Sequence, residues 1–180
     1  LKAVPRLEVS ALLQQTITVH GGKTHEGVLI EAVAIPWFEI IRILERDPKA
    51  AFEIPARTWE EIIAGAYQQA GFDEVILTPH SGDRGRDVIA IKKAICSVRV
   101  IDQVKAYSLD NLVTADDVRA LMGVLAADTE SSKGVVTTTS DFAPKLIEDP
   151  LIKPWIPHRL ELINGENLLS KLVELSKIDH

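Results

Sequence analysis

The sequence predicts an α/β domain with a central mixed β-sheet flanked by helices. Two observations support this prediction. Three strand-like runs follow one another between residues 73 and 107, closely enough to form an antiparallel meander. After residue 114 helical and strand-like segments alternate, which is typical of strands joined by crossover helices. From residue 55 onward, the predicted order is αβββαβαβα.

Composition places the chain among ordinary globular proteins. It has 180 residues, of which 46% are hydrophobic, a single cysteine, and a net charge of −6. One cysteine excludes an internal disulfide and suits a reducing cytoplasm. The start shows no signal-peptide pattern, and no apolar run approaches the ~20 residues that span a bilayer. We therefore expect a cytoplasmic protein without a membrane partner. The negative net charge weighs against a protein that coats nucleic acid nonspecifically. An enzyme whose basic groups are confined to one cleft is still compatible with this net charge.

The first fifty residues are the least informative. The apolar run at 27–35 is compatible with a strand or a buried helix. Pro36 then opens a helix that Asp47-Pro48 would end, with apolar side chains at helical spacing: Trp37, Ile40, Ile41 and Leu44. We expect residues 1–52 to form a partly helical extension of unknown role, and residues 53–180 to form the main domain.

The elements of the main domain follow in order. Thr58 is expected to cap a helix, with Glu61 completing a capping box and Gly71 ending the helix. Strands are expected at 73–79, 87–93 and 97–107. A helix at 114–128 begins with a Thr cap, and a β-branched strand follows at 134–140. A short helix at 141–149, a strand at 159–164 and a closing helix at 165–176 complete the pattern.

Polar residues on two predicted strands form a candidate site. Gln103 and Lys105 share one face of the third strand, because alternate side chains of a strand point the same way. Asp87 begins the neighbouring strand, directly after a loop with two glycines. If Asp87 faces the same side, a carboxylate, an amide and an ammonium converge. Glu60, on the preceding helix, is placed to add a second carboxylate.

This set suits metal-assisted cleavage of a phosphodiester. Mg²⁺ prefers hard oxygen ligands and usually takes one or two carboxylates in addition to water. Asp87 would be the main ligand, and the side-chain oxygen of Gln103 or the carbonyl of Val104 would complete the shell. Lys105 would orient the attacking water or stabilise the charge that develops on the phosphate. Mn²⁺ is the expected substitute for Mg²⁺.

Four stretches carry a family resemblance: GFDEVILTPHSGDRGRDVIAIKK, IDQVKAY, SKGVVTTTSDFAP and RLELINGENLL. In this order they resemble the Mrr-like restriction endonucleases of the PD-(D/E)xK nuclease superfamily, over residues 55–175. The resemblance implies a restriction-endonuclease-like αβββαβ core within residues 53–180. It also implies a catalytic set of Asp87, Gln103 and Lys105, with Glu60 matching the helix glutamate of the family.

The chain departs from the wider superfamily at Gln103, where a glutamate or aspartate is usual. Mrr-like members resemble this sequence in using glutamine, so activity is compatible with the change. A neutral amide binds a cation more weakly than a carboxylate does, and Asp83 or Glu60 would have to compensate. We therefore expect a higher metal requirement than that of a site with two carboxylates.

The leading hypothesis is a Mg²⁺-dependent DNA endonuclease of the restriction type, acting on double-stranded DNA in defence. Further subunits of a defence system are candidate partners. A homodimer is expected, because cutting both strands usually takes two sites. The alternatives are a structure-selective repair or recombination nuclease, such as a junction resolvase, and a catalytically weak DNA-binding domain. The expected DNA contacts are Ser81, Asp83, Arg84 and Arg86, and the expected basic cleft comprises Arg84, Arg86, Lys92, Lys93, Arg99 and Lys105.

Other patterns carry little weight. HGGKTH resembles the end of a phosphate-binding loop, but position 17 is isoleucine where the pattern needs glycine. The histidines lack zinc-ligand spacing, and no G-x-S-x-G nucleophile elbow is present.

Overall fold

The computed structural model describes residues 6–80 and 85–178. Within them the helices are α1 (Arg6–Leu12), α2 (Ile35–Arg46), α3 (Ala56–Gln69), α4 (Ala115–Ala127) and α5 (Gly165–Leu175). The strands are β1 (Thr18–Lys23), β2 (Val28–Val33), β3 (Glu74–Leu77), β4 (Val88–Lys93), β5 (Ser97–Lys105), β6 (Lys133–Thr138) and β7 (Leu160–Ile163). Short 3₁₀ turns occupy Pro48–Glu53, Leu146–Glu148 and Lys153–Trp155.

The described strands form one sheet whose spatial order is the sequence order, β1 to β7. Neighbours from β1 to β5 pair antiparallel, whereas β5–β6 and β6–β7 pair parallel. Helix α4 supplies the crossover from β5 to β6, as parallel neighbours require. The mixed α/β sheet predicted from the sequence is confirmed.

The sheet is covered by helices on both faces. Helices α2, α3 and α5 pack on one face, in a core that includes Val88 and Val100. Helix α4 packs on the other face, where Leu121 and Leu125 join Ile101 of β5 in a second core. Alternate residues of β5 therefore face α3 and α4, and this alternation decides which polar side chains meet which helix.

Part of the segment at 6–50 belongs to this sheet. Strands β1 and β2 form a hairpin, and β2 joins β3 through the pairs Val28↔Leu77 and Leu29↔Ile76. The ambiguous run at 27–35 is thus mostly strand. Helix α2 starts with Pro36 in its first turn and ends before Asp47-Pro48, as predicted. Its buried residues are the four expected from the helical spacing: Trp37, Ile40, Ile41 and Leu44.

Two local predictions are wrong. Thr58 does not cap α3, which begins two residues earlier, after Pro55; the φ of −60° at Pro55 is the value that its ring imposes. The helix predicted at 141–149 shrinks to the 3₁₀ turn Leu146–Glu148. Pro144 disfavours helix in the residue before it, and Lys145 adopts the left-handed region, with φ 63°, which interrupts an α-helix.

None of the described helices has the length and apolar character that crossing a bilayer would require.

Candidate active site

Asp87 is held at the point where β4 begins. It lies in a bend one residue before the strand, which starts at Val88. Its carboxylate Oδ2 accepts a hydrogen bond from the backbone N–H of Val104 at 2.7 Å. Its carbonyl accepts from the N–H of Thr78, and its own N–H donates to the carbonyl of Asp102, both at 3.1 Å. Because strand N–H groups lie in the plane of the sheet, the carboxylate sits at the edge of β5.

Gln103 lies on the α4 side of β5 with an unsatisfied oxygen. Its Oε1 is buried and has no hydrogen-bond partner among the described residues. A Cβ placed at Gly85 would approach Gln103 Nε2 to 3.0 Å, so the glycine loop leaves room for this amide. A buried amide oxygen without a partner costs about 1–3 kcal/mol, and binding a cation would remove that cost.

Lys105 is the last residue of β5 and is fixed through its backbone. Its carbonyl accepts hydrogen bonds from the hydroxyl of Thr138 at 2.8 Å and the N–H of Thr139 at 3.3 Å. Its ammonium lies 3.5 Å from Asp117 Oδ1 of α4 and 6.0 Å from the centre of the Tyr107 ring. Its side chain is 21% exposed, which leaves the ammonium open to an incoming group.

Glu60 is buried near the start of α3 and is tied to the strand that leads to the glycine loop. Its Oε2 accepts a hydrogen bond from Arg57 Nη1 at 2.5 Å, and the same nitrogen donates to the carbonyl of Thr78 at 2.8 Å. His80 Nδ1 lies 4.0 Å from Glu60 Oε1. Since the N–H of Thr78 bonds to Asp87, these contacts connect Glu60 to the Asp87 backbone through two residues, Arg57 and Thr78.

The oxygen donors around Asp87 fit a hard divalent cation. Asp87 offers a carboxylate, Gln103 an unpaired amide oxygen, and Val104 the carbonyl of the residue whose N–H holds Asp87. Among the described residues no three His, Cys, Asp or Glu side chains cluster as a metal site. The proposed donor set contains one carboxylate together with amide and backbone oxygens, so it does not form a cluster of that kind.

Asp102, next to Gln103, points to the opposite face. Its Oδ2 accepts hydrogen bonds from the Tyr67 hydroxyl at 2.8 Å and the Thr137 hydroxyl at 3.0 Å. Burial raises the pKa of Asp102 to about 8, although these two hydrogen bonds act to lower it. A largely neutral carboxyl therefore lies behind the candidate site at neutral pH.

The residues expected to contact DNA are only partly described. Ser81, Asp83 and Arg84 lie outside the described residues. Arg86 Nη1 lies 3.3 Å from Asp128 Oδ2 and 3.6 Å from Glu26 Oε1, so in this structure it faces two carboxylates.

The expected basic cleft is not formed as predicted. Arg99 is 7% exposed and makes a bidentate contact with Glu26, at 2.5 and 3.2 Å. Lys92 and Lys93 lie at the other end of β4 from Asp87 and face Asp73 and Glu74. Lys105 directly follows Val104, whose N–H binds the Asp87 carboxylate, whereas Arg86, which directly precedes Asp87, faces Glu26 and Asp128.

Sequence reasoning missed two contributors to the site. Asp117 contacts Lys105, although its only visible signal was its position three residues after the Thr114 cap. The run TTTS was interpreted as a buried strand, which it is, but its hydroxyls also bind β5. Thr137 donates to Asp102, Thr138 to the Lys105 carbonyl, and Thr139 to the Tyr107 carbonyl at 2.7 Å.

Comparison with solved structures identifies the class of fold. The DNA modification-dependent restriction endonuclease AspBHI is similar with a TM-score of 0.51 and 17% identity, over 82% of this chain and 38% of AspBHI. The MspJI restriction endonuclease, solved in complex with a 27-mer oligonucleotide, aligns with a TM-score of 0.45 and 22% identity, over 75% of this chain and 30% of MspJI. The likeness to AspBHI supports a restriction-endonuclease fold. This chain spans only 38% of the length of AspBHI.

Comparison with family profiles gives the particular family. The restriction endonuclease profile of the Mrr catalytic domain matches residues 52–172, which is more than half of the chain. The chain therefore belongs to the Mrr-type restriction endonuclease family, whose members are DNA endonucleases of the restriction type. No curated protein sequence matches it.

Proposed function

We propose that this domain hydrolyses phosphodiester bonds of double-stranded DNA with the help of Mg²⁺ or Mn²⁺ bound beside Asp87. One observation carries the proposal: the Asp87 carboxylate is fixed against the backbone of Val104, between the residues that carry the unpaired Gln103 oxygen and the Lys105 ammonium. This arrangement supports a site in which the carboxylate, the amide oxygen and the ammonium act together at this end of β5.

Each residue has a distinct part in this proposal. Asp87 and the Gln103 oxygen would hold the cation, with the carbonyl of Val104 as a further donor and Glu60 as a nearby carboxylate. The bound metal would polarise a phosphoryl oxygen and lower the pKa of a water. Lys105 presents a positive charge to the phosphate, which stabilises the negative charge that develops during hydrolysis.

The wider setting is also proposed. A homodimer would cut both strands, since each chain carries one such site. Membership of a restriction family supports a role in defence against foreign DNA, with further subunits of a defence system as candidate partners. Ser81, Asp83, Arg84 and Arg86 remain proposed DNA contacts, and for Arg86 the proposal requires that DNA displace Glu26 or Asp128.

Plasmid cleavage tests the proposal. The wild-type chain is incubated with supercoiled plasmid and Mg²⁺ or Mn²⁺, beside Asp87→Asn, Lys105→Ala and a chelator control. The expected result is metal-dependent nicking or linearisation that each substitution lowers by about 100-fold or more. Cleavage that survives both substitutions would remove this site from consideration.

Lys92→Ala is the matched control for Lys105→Ala. Lys92 is a strand lysine whose ammonium lies 3.9 Å from an aspartate, Asp73. It lies at the end of β4 that is far from Asp87. Its substitution should leave cleavage unchanged. A four-way junction assayed in parallel would reveal the structure-selective alternative, because the same residues serve either substrate.

A further inference from the structure

The ammonium of Lys105 obtains its negative partner from outside the sheet. The residues two positions before and after it are Gln103 of β5 and Tyr107, just beyond the strand, and neither of them carries a carboxylate. Position 103, where the wider superfamily usually has a glutamate or aspartate, is a neutral glutamine in this chain. Here the carboxylate closest to Lys105 among the described contacts comes from α4, where Asp117 Oδ1 lies 3.5 Å from the ammonium.

The Asp117 carboxylate is itself rigidly held. Its Oδ2 accepts hydrogen bonds from the N–H and the hydroxyl of Thr114, both at 2.9 Å, in the capping box that starts α4. Its Oδ1 accepts a hydrogen bond from the Tyr107 hydroxyl at 3.4 Å and faces Lys105. One oxygen thus anchors the carboxylate to the helix, and the other is directed at the ammonium.

The charge of Asp117 is also secure. Partial burial acts to raise the pKa of Asp117, but the hydrogen bonds from Thr114 and the charge of Lys105 outweigh it and hold this pKa below its ordinary value. The side chains of Lys105 and Asp117 are 21% and 23% exposed, so water screens the pair only in part.

We propose that Asp117 is a positioning residue that directs the Lys105 ammonium toward the reacting phosphate and supplies the negative charge that the amide of Gln103 does not. The proposal rests on the proposed nuclease function. A lysine side chain is flexible, and a catalytic charge displaced by about 1 Å can cost up to about 100-fold in rate. Asp117 does not touch the bound phosphate, so its loss should act on the rate of cleavage more than on DNA binding.

The test compares two aspartates in the same helical turn. Asp117→Asn keeps an oxygen for the Thr114 cap but removes the charge beside Lys105. Asp116→Asn is the control: it removes the same charge from the same first turn, but Asp116 is 92% exposed and pairs with Arg119 at 2.6 Å. Asp117→Glu keeps both the charge and a residue type suited to a capping box.

For plasmid cleavage, Asp117→Asn should lower kcat about 10- to 100-fold with little change in KM for DNA. Asp117→Glu should recover most of the loss, Asp116→Asn should match wild type, and Asp117→Asn should add nothing in the Lys105→Ala background. Wild-type kcat for Asp117→Asn, with Lys105→Ala inactive, would overturn the positioning role and leave the nuclease proposal intact. Full activity of both Asp87→Asn and Lys105→Ala would instead remove the proposed active site, and the positioning role with it.

A second readout does not depend on cleavage. Lysine-selective NMR of the side-chain ammonium groups identifies the Lys105 signal by its absence in Lys105→Ala. We expect this signal to shift or broaden in Asp117→Asn and to stay unchanged in Asp116→Asn. An unchanged Lys105 signal in Asp117→Asn would overturn the positioning role.

Discussion

The Asp87 carboxylate accepts a hydrogen bond from the backbone N–H of Val104 at 2.7 Å. A carboxylate held by a strand N–H keeps a fixed place relative to that strand, since the N–H itself cannot rotate. The site therefore depends on the β4–β5 register, and the side chains on either side of Val104 are Gln103 and Lys105.

Asp87→Asn should abolish metal binding while preserving the fold. Asparagine retains an oxygen that can accept from Val104, so the midpoint of thermal unfolding should change by only a few degrees. The loss of the formal charge removes the main ligand for a hard cation. Calorimetric titration with Mn²⁺ should show heat of binding for wild type and none for the variant, and equal heats would count against Asp87 as a ligand.

Gln103→Glu should lower the metal requirement. A second carboxylate binds a hard cation more tightly than an amide does, so the half-saturating Mg²⁺ concentration for cleavage should fall by about tenfold. Without metal, the new carboxylate lies near Asp87 and repels it, so the variant should unfold more easily. Gln103→Met, which removes the oxygen altogether, should raise the requirement. An unchanged metal dependence in both variants would show that position 103 does not contact the cation.

Asp102 should make the stability of the fold depend on pH. Its carboxyl ionises near pH 4 in the unfolded chain but stays protonated in the folded chain up to about pH 8. The folded state thus binds one more proton in this window, so the free energy of unfolding should fall as pH rises, by up to ~1.4 kcal/mol per pH unit.

Asp102→Asn provides the comparison. It keeps an acceptor for Tyr67 and Thr137 but cannot ionise, so urea unfolding from pH 5 to pH 8 should show a flatter dependence than in wild type. Parallel curves for the two proteins would show that Asp102 is ionised in the folded state.

Glu26→Gln should destabilise the fold, because Arg99 would lose the charge of its bidentate partner. The side chain of Arg99 is only 8% exposed, so water cannot replace that partner. Asp128 at 3.5 Å would compensate in part, so we expect a loss of about 2–4 kcal/mol in the free energy of unfolding. Glu45→Gln is the control: its pair with Lys177 is largely exposed, and its loss should cost less than about 1 kcal/mol. Equal losses in urea unfolding would contradict a buried role for Glu26.

This pair also bears on the organisation of the chain. Glu26 lies in the predicted extension and Arg99 in the predicted main domain, and strands β1 and β2 continue the same sheet. The boundary near residue 52 remains a prediction. We expect a chain that starts at residue 53 to be unstable, since it would lack the buried side chains of α2.

Local periodicity explains what could be predicted. The helical spacing of Trp37, Ile40, Ile41 and Leu44 gave the buried face of α2. Alternation along β5 placed Gln103 and Lys105 on one face, which in the structure lies toward α4. Both patterns depend on the 3.6- and 2-residue repeats of the backbone, which are visible in any sequence. The parallel addition of β6 and β7 also followed from the alternation of segments.

The remaining features depend on contacts between distant segments. Arg99 looks like an available cation until the fold brings Glu26, 73 residues away, against it. Asp117 looks like an ordinary capping residue until α4 packs beside the end of β5. The helix predicted at 141–149 does not form for a local reason. Pro144 and the left-handed Lys145 outweigh the helix-forming residues around them.

Locating the metal would decide the proposed site. Crystals of the wild-type chain with a short DNA duplex, soaked in Mn²⁺, would give an anomalous-scattering peak at the ion. The proposal predicts a peak within ligand distance of an Asp87 carboxylate oxygen and Gln103 Oε1, with Lys105 facing the scissile phosphate. A peak bound elsewhere on the chain, with DNA phosphate absent from this edge of β5, would contradict it.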